Sequence, residues 1–248
     1  MTLSLHKISA ITEMKFKAII SNKNLIMMPI FSIAITVVYR FLYTSLLKDN
    51  SSADMMMGIV LNLGLMMNIV MTGMMVTSSA LAEEKEKHTL RTLMTSSVNG
   101  LEFFLGSIIP PLIMIIIVNM ILPFLSGISL EVINYPIYFL ITTVASITSC
   151  VLGMVTGIYA KNQMSASTIS SPITMIFVFI PTFASLNDGI ARVSRFLYTG
   201  VVSEMITSYS NHQEAPLNAL NMAVLFGQII AAAILFIVVY KRNGYETD

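Results

Sequence analysis

Apolar residues run along this chain in six long blocks separated by short polar joints. The blocks are Leu25–Leu47, Met55–Ala82, Leu101–Ser126, Tyr135–Ala160, Ser165–Leu186 and Leu217–Tyr240. Each reaches the roughly 20 residues that a helix needs to cross a bilayer. In the fifth, Ser165–Ser171 is polar and Pro172 and Pro181 interrupt the run. Prolines are tolerated where neighbouring helices re-satisfy the freed backbone groups, so the pattern predicts a kinked span there. Ahead of the first block, Leu5, Ile8, Ile11, Phe16, Ile19 and Ile20 recur at helical spacing with the lysines mostly opposite. Residues 1–23 therefore predict an amphipathic helix lying in the membrane interface, with a soluble N-terminal helix as the alternative. Lys7, Glu13, Lys15, Lys17 and Lys23 leave no uninterrupted apolar core for a signal peptide. Between the last two blocks, Ile190, Val193, Leu197 and Val201 repeat at helical spacing. Residues 187–216 thus predict one or two short helices that dip into the outer leaflet or cap the bundle, or an ordinary surface helix.

Composition makes the membrane reading firm. Hydrophobic residues are 55% of the chain and charged ones 11%, against about 25% charged in soluble domains. Charge that scarce cannot cover a surface in water. The fold class is an all-α membrane protein of six transmembrane helices, and without internal repeats a single transmembrane domain over residues 1–248 is the economical division. With the N-terminus inside, ten Lys and Arg fall on inner segments and three (Lys48, Arg192 and Arg195) on outer ones. That bias places both termini in the cytoplasm of a multi-pass cell-membrane protein. Tyr39, Tyr43, Tyr135, Tyr138, Tyr159 and Tyr240 sit at span ends, an interfacial aromatic belt in a chain without Trp. The single Cys150 lies inside an apolar run and reads as a packing residue.

Chemistry inside the spans is sparse. No zinc-protease, serine-hydrolase or phosphate-loop motif occurs, and His6, His88 and His212 fall on segments that cannot converge on a metal. The chain reads as non-enzymatic, with no catalytic, cofactor or metal residues of its own and no nucleic-acid partner. Arg40 and Glu102, the charges within the spans, lie near their ends. A proton- or sodium-coupled carrier wants a titratable group near the midplane, so this spacing disfavours one. Asn68, Thr72, Met75 and Asn119, with Arg40, stand as a substrate path or as helix packing; interhelical hydrogen bonding is the plainer use of the asparagines. Ser146, Ser149, Gly153 and Gly157 form a small-residue face that suits close packing within the chain or between two copies. Twenty methionines, crowded at Met55–Met57, Met66-Met67 and Met74-Met75, suit either an adaptable substrate lining or simple filling of a lipid-facing surface.

One joint is different. Residues 83–100 read EEKEKHTLRTLMTSSVNG, with acidic residues first and Arg91 later, as a helix prefers. Leu90, Leu93 and Met94 would lie against something, although a solvated loop helix reads equally well from composition. The order EKEKHTLRTLMTSSVNGLEFFLGSIIP resembles the segment between the second and third spans of ABC-2-type transporter permeases. Glu84, Glu86, Thr89, Leu90, Leu93, Ser96, Val98, Glu102 and Gly106 fall on that family's pattern. His88, Ser97 and Ser107 depart from it, standing where the family has glycine, proline and lysine.

The resemblance implies that residues 83–98 are a coupling helix on which a separate ATP-binding subunit docks. Glu84, Glu86, Thr89, Leu90, Leu93, Met94, Ser97, Glu102 and Gly106 would be its coupling residues. It also implies two ATP-binding subunits carrying ATP and Mg, and a second permease copy or a related permease, in membrane lipid. The expected role is the permease subunit of an exporter for an amphipathic peptide or small lipophilic compound. Permeases for sodium, another small ion or a glycan, an ion-coupled secondary carrier, and a scaffold or immunity protein are the alternatives.

Overall fold

A computed structural model describes residues 4–46, 53–87 and 100–243. Helix α1 (Leu5–Ser21) leads at Asn22 into α2 (Lys23–Leu46). The second span is continuous but not uniform: α3 (Ala53–Met66), a π-helical stretch (Met67–Val76) and α4 (Thr77–Glu86). Then come α5 (Gly100–Ser126), α6 (Tyr135–Tyr159), α7 (Gln163–Thr182), α8 (Asp188–Ser194), α9 (Tyr198–Ser210) and α10 (Ala219–Asn243). No strand occurs among the described residues. Six helices are long and apolar enough to cross a membrane, over Lys23–Ser45, Asp54–Glu86, Leu101–Ser126, Tyr135–Tyr159, Gln163–Thr182 and Ala219–Tyr240.

The helices begin where local chemistry says they should. The Asn134 side chain caps α6, accepting from the Ile137 N–H, and Pro136 fits the first turn because its missing N–H would be unsatisfied there anyway. Asn162 and Ser165 form a reciprocal capping box at α7. That box starts the fifth span two residues earlier than its apolar pattern suggested. The polar stretch after it is absorbed: Ser167, Thr168 and Ser171 donate back to carbonyls of their own helix. The Ser170 hydroxyl lies 3.0 Å from Ser78 Oγ and 2.9 Å from Thr156 Oγ1, tying α7 to α4 and α6. Satisfied hydroxyls are compatible with lipid depth.

The second span is the axis of the bundle. Helices α2, α5, α6, α7 and α9 all pack on it, and α10 packs chiefly on α6 and α9. Two-thirds of the second span and of α6 is buried, but only 22% of α2 and 28% of α7 and of α10. Met57, Met66 and Met74 are in the core, so these methionines neither coat a lipid-facing surface nor line an open path. Helix α9 is not a surface helix either. Tyr198, Val201, Val202 and Met205 are buried, and the Tyr198 hydroxyl bonds Ser149 of α6 at 2.8 Å.

Candidate functional site

Charge collects at the end of the bundle that carries α1, and there it has structure. Helix α1 buries the stripe Ile11, Lys15 and Ile19, so one lysine lies on the packed face rather than opposite it. Lys15 is 3% exposed, forms an ion pair with Glu84 of α4, and has its ammonium 4.6 Å from the centre of the Phe103 ring. Burial pushes the Lys15 pKa below its ordinary value, and the Glu84 carboxylate works against that shift. Two turns on, the Asn22 carboxamide donates to Glu83 Oε2 at 3.0 Å, while Lys87 pairs with the other oxygen of Glu83.

The far side of the 88–99 segment grips the same helix. Glu102, 2% exposed, accepts from the Ser4 backbone N–H at 2.8 Å. A carboxylate there satisfies one of the free N–H groups at the start of α1 and complements the helix dipole. Gly106 lies where Ile11 packs: a Cβ on it would stand 2.7 Å from Ile11 Cγ2 and 3.3 Å from the Ile8 carbonyl oxygen. Two further contacts brace this end. Lys85 donates to the Ile158 carbonyl and, at 3.3 Å, to that of Ala160, closing the C-terminus of α6. Glu86 accepts from the Gln163 N–H at the start of α7 at 3.4 Å.

Of the residues that the sequence marks for coupling, Glu84, Glu86, Glu102 and Gly106 are thus gathered around α1 and the ends of α6 and α7. Thr89, Leu90, Leu93, Met94 and Ser97 lie outside the described residues. Lys15, Asn22 and Lys85 were not singled out beforehand. A signal for Lys15 was available, since Ile11, Lys15 and Ile19 are four residues apart and define one face.

Deeper in the bundle two asparagines anchor a polar network, while the buried Thr72 hydroxyl has no hydrogen-bond partner among the described residues. Asn68 donates to Asn119 Oδ1 at 2.8 Å and to the Ile115 carbonyl at 2.9 Å. Asn119 reaches Ser146 Oγ at 3.3 Å, and the Tyr138 hydroxyl donates to the Asn119 carbonyl at 2.7 Å. This network joins the second span, α5 and α6. Thr72 is fully buried in the π-helical stretch, and Met75 beside it is partly buried. Arg40 sits at the opposite end of the bundle, where its guanidinium donates to the Phe124 and Leu125 carbonyls at 3.3 and 3.2 Å, capping α5. Gly127 follows with φ +84°, a left-handed cap that glycine adopts without strain. The small-residue face packs within the chain. A Cβ on Gly153 would be 2.6 Å from the Met74 carbonyl oxygen, one on Gly157 3.0 Å from that of Ser78, and one on Gly73 2.6 Å from Ser149 Cβ. Among the described residues no cluster of His, Cys, Asp and Glu has the arrangement of a metal site.

A family model described as ABC-2 family transporter protein matches residues 2–240. No curated protein matches the chain.

Proposed function

This chain belongs to the ABC-2 transporter family, and from that premise we propose that it is the permease subunit of an ATP-driven exporter whose coupling surface is the 88–99 segment. Permeases of this family are membrane transport subunits and are not themselves catalytic. ATP and Mg would sit on two copies of a separate ATP-binding subunit, and a second permease, identical or related, would complete the path. The Lys and Arg distribution supports placing the α1 end in the cytoplasm, where such a subunit docks.

One observation carries the coupling reading. The residues before the 88–99 segment and those after it hold the same helix: Glu84 and Glu83 through Lys15 and Asn22, Glu102 and Gly106 through Ser4, Ile8 and Ile11. A force on the segment is delivered jointly to the second span, α5 and α1, which is what a transmission element has to do. An ion-coupled carrier fits less well, because the deep amides Asn68 and Asn119 are engaged with each other and with the main chain. For cargo, an amphipathic peptide or small lipophilic compound suits a bundle whose buried polar side chains deep in the spans are hydroxyls and amides, with no charged group near mid-span. Extrusion of a small ion or glycan is the competing substrate reading.

The test is co-expression of the permease with an ATP-binding subunit, in its original form and as Leu90→Asp or Leu93→Asp. The expected result is loss of co-purification and of ATP-dependent efflux while the permease still reaches the membrane. Retention of both activities by both variants would overturn the coupling assignment.

A further inference from the structure

The end of the bundle opposite α1 contains a cavity of about 410 Å³ among α3, the end of α7, α8 and α9. Its two sides differ in chemistry. One wall is apolar, made by Met55, Ile59, Leu63 and Pro181, and Met55 and Ile59 are 60% and 42% exposed. The other carries Ser194, Ser203, Thr207 and Asn62, with the Asn62 carboxamide donating to Ser203 Oγ at 3.1 Å. Two glycines in the lining let α9 come this close. A Cβ on Gly58 would fall 1.7 Å from Ser210 Oγ, and one on Gly200 1.8 Å from the Ser194 carbonyl oxygen.

Two charged side chains reach this cavity, Arg195 and Glu204. Glu204 accepts from the Asn221 carboxamide at 3.0 Å and is drawn towards α10. Arg195 is exposed, and no carboxylate among the described residues pairs with it. The lining thus carries one cation and one anion, and the Arg195 guanidinium, whose planar fork matches a phosphate, is the cationic group free for a ligand, with the Glu204 carboxylate held on the α10 side. The same short segment exposes Leu186 at 75%, Val193 at 51% and Phe196 at 63%. Large apolar side chains interleaved with an arginine put the cavity mouth at the boundary between hydrocarbon and headgroups. The volume lies within the usual range for a small-molecule site, roughly 300–1,000 Å³.

We propose that this cavity binds a phosphate-bearing amphipath, with an anionic membrane lipid as its source. Arg195 holds the phosphate, Ser194 and Ser203 meet the hydroxylated head, and the acyl chains leave along Met55 and Ile59. The site follows from the fold alone, and its assignment to the outer leaflet rests on the Lys and Arg distribution, not on the transport reading. A failed lipid experiment therefore leaves the coupling segment untouched, and the reverse also holds.

The experiment uses the full chain in an uncharged detergent, with binding read by native mass spectrometry and by ligand-induced shift of the unfolding temperature. The probes are dioctanoyl phosphatidylglycerol, dioctanoylglycerol without phosphate, and glycerol 3-phosphate without acyl chains. Saturable binding of the phospholipid alone is expected. Arg195→Gln should weaken it by about tenfold or more, the usual weight of a charge-assisted hydrogen bond, and Arg195→Lys should weaken it less. Arg192→Gln, a neighbouring charge outside the cavity, should leave it within about twofold, a shift too small for a lost contact. Arg195 is exposed, so the unliganded unfolding temperature of Arg195→Gln should equal that of the unsubstituted protein and separate binding from folding. Equal binding of dioctanoylglycerol overturns the phosphate reading, and equal binding of glycerol 3-phosphate overturns the lipid one. Absence of binding, or indifference to Arg195→Gln, overturns both.

Discussion

Replacing Glu84 by glutamine keeps the shape of the side chain and removes the charge that faces Lys15. The ammonium is then left buried, with the Phe103 ring beside it and Glu83 already engaged by Asn22 and Lys87. Breaking one side of a buried ion pair costs about 3–5 kcal/mol. The lysine can escape part of that by losing its proton, which caps the loss. At pH 7, neutralising a group of ordinary pKa about 10.4 costs about 1.36 kcal/mol per unit, or about 4.6 kcal/mol in all. The expected loss is therefore about 3–4.5 kcal/mol, bounded by the broken pair below and deprotonation above. Removing both charges in Lys15→Met/Glu84→Gln should recover most of it, to within about 1 kcal/mol of the starting protein, because an apolar side chain suits that site.

The pH dependence has a definite sign. Burial already lowers the Lys15 pKa in the folded protein, and without Glu84 it falls further. Between that value and the unfolded one the unfolded chain holds the extra proton. Stability of Glu84→Gln should therefore climb with pH, by up to about 1.4 kcal/mol per unit, and its deficit at pH 9 should be smaller than at pH 7. Cys150 is fully buried, so a thiol-reactive fluorogenic maleimide reports unfolding through this single cysteine. Equal losses in the single and double variants, or a deficit flat in pH, would refute charge pairing as what holds α1 in place.

The same assay reaches the other contacts. Gly153→Leu should cost about 1–3 kcal/mol, since the new side chain meets main chain at Met74 and not a flexible tip. Gly227→Ala, with nothing within 4 Å of its Cβ, should be neutral or stabilising by up to about 1 kcal/mol. Asn68→Ala and Asn119→Ala should each cost about 0.6–1.7 kcal/mol, and the pair should be non-additive because each bonds the other. Arg40→Gln should lose about 1 kcal/mol or less and show faster amide exchange over residues 124–128, where the α5 cap opens.

The six spans were legible because lipid demands unbroken apolar runs of fixed length, and that demand is written residue by residue. Their ends were less clear: Asn134 and Asn162 set helix starts through side-chain capping, which an apolar pattern does not register, and the fifth span begins two residues ahead of Ser165. Facing directions were less clear still. A π-helical stretch over Met67–Val76 breaks the 3.6-residue phase on which any reading of faces depends. The buried positions of Met66 and Met74 could not be reached by counting. Glu84, Glu102 and Gly106 stood out by their order, but the partners of the last two at α1, Ser4 and Ile11, lie 98 and 95 residues away in sequence. Nothing local encodes such a meeting. Lys15 is the mixed case: its spacing with Ile11 and Ile19 marks the packed face, but the carboxylate that waits for it stands on another helix and has no local signal.

The unequal burial of the spans sets how freely the sequence can drift. On α2, α7 and α10 most of the surface asks only for apolar side chains, so one oily residue can replace another there over generations with little loss. The second span and α6 allow no such freedom. At Gly73, Gly153 and Gly157 even one added carbon meets main chain or packed side chain, and the asparagine network fixes chemistry as well as size. Descendants of this protein should therefore keep their second and fourth spans recognisable long after the outer helices have become merely hydrophobic.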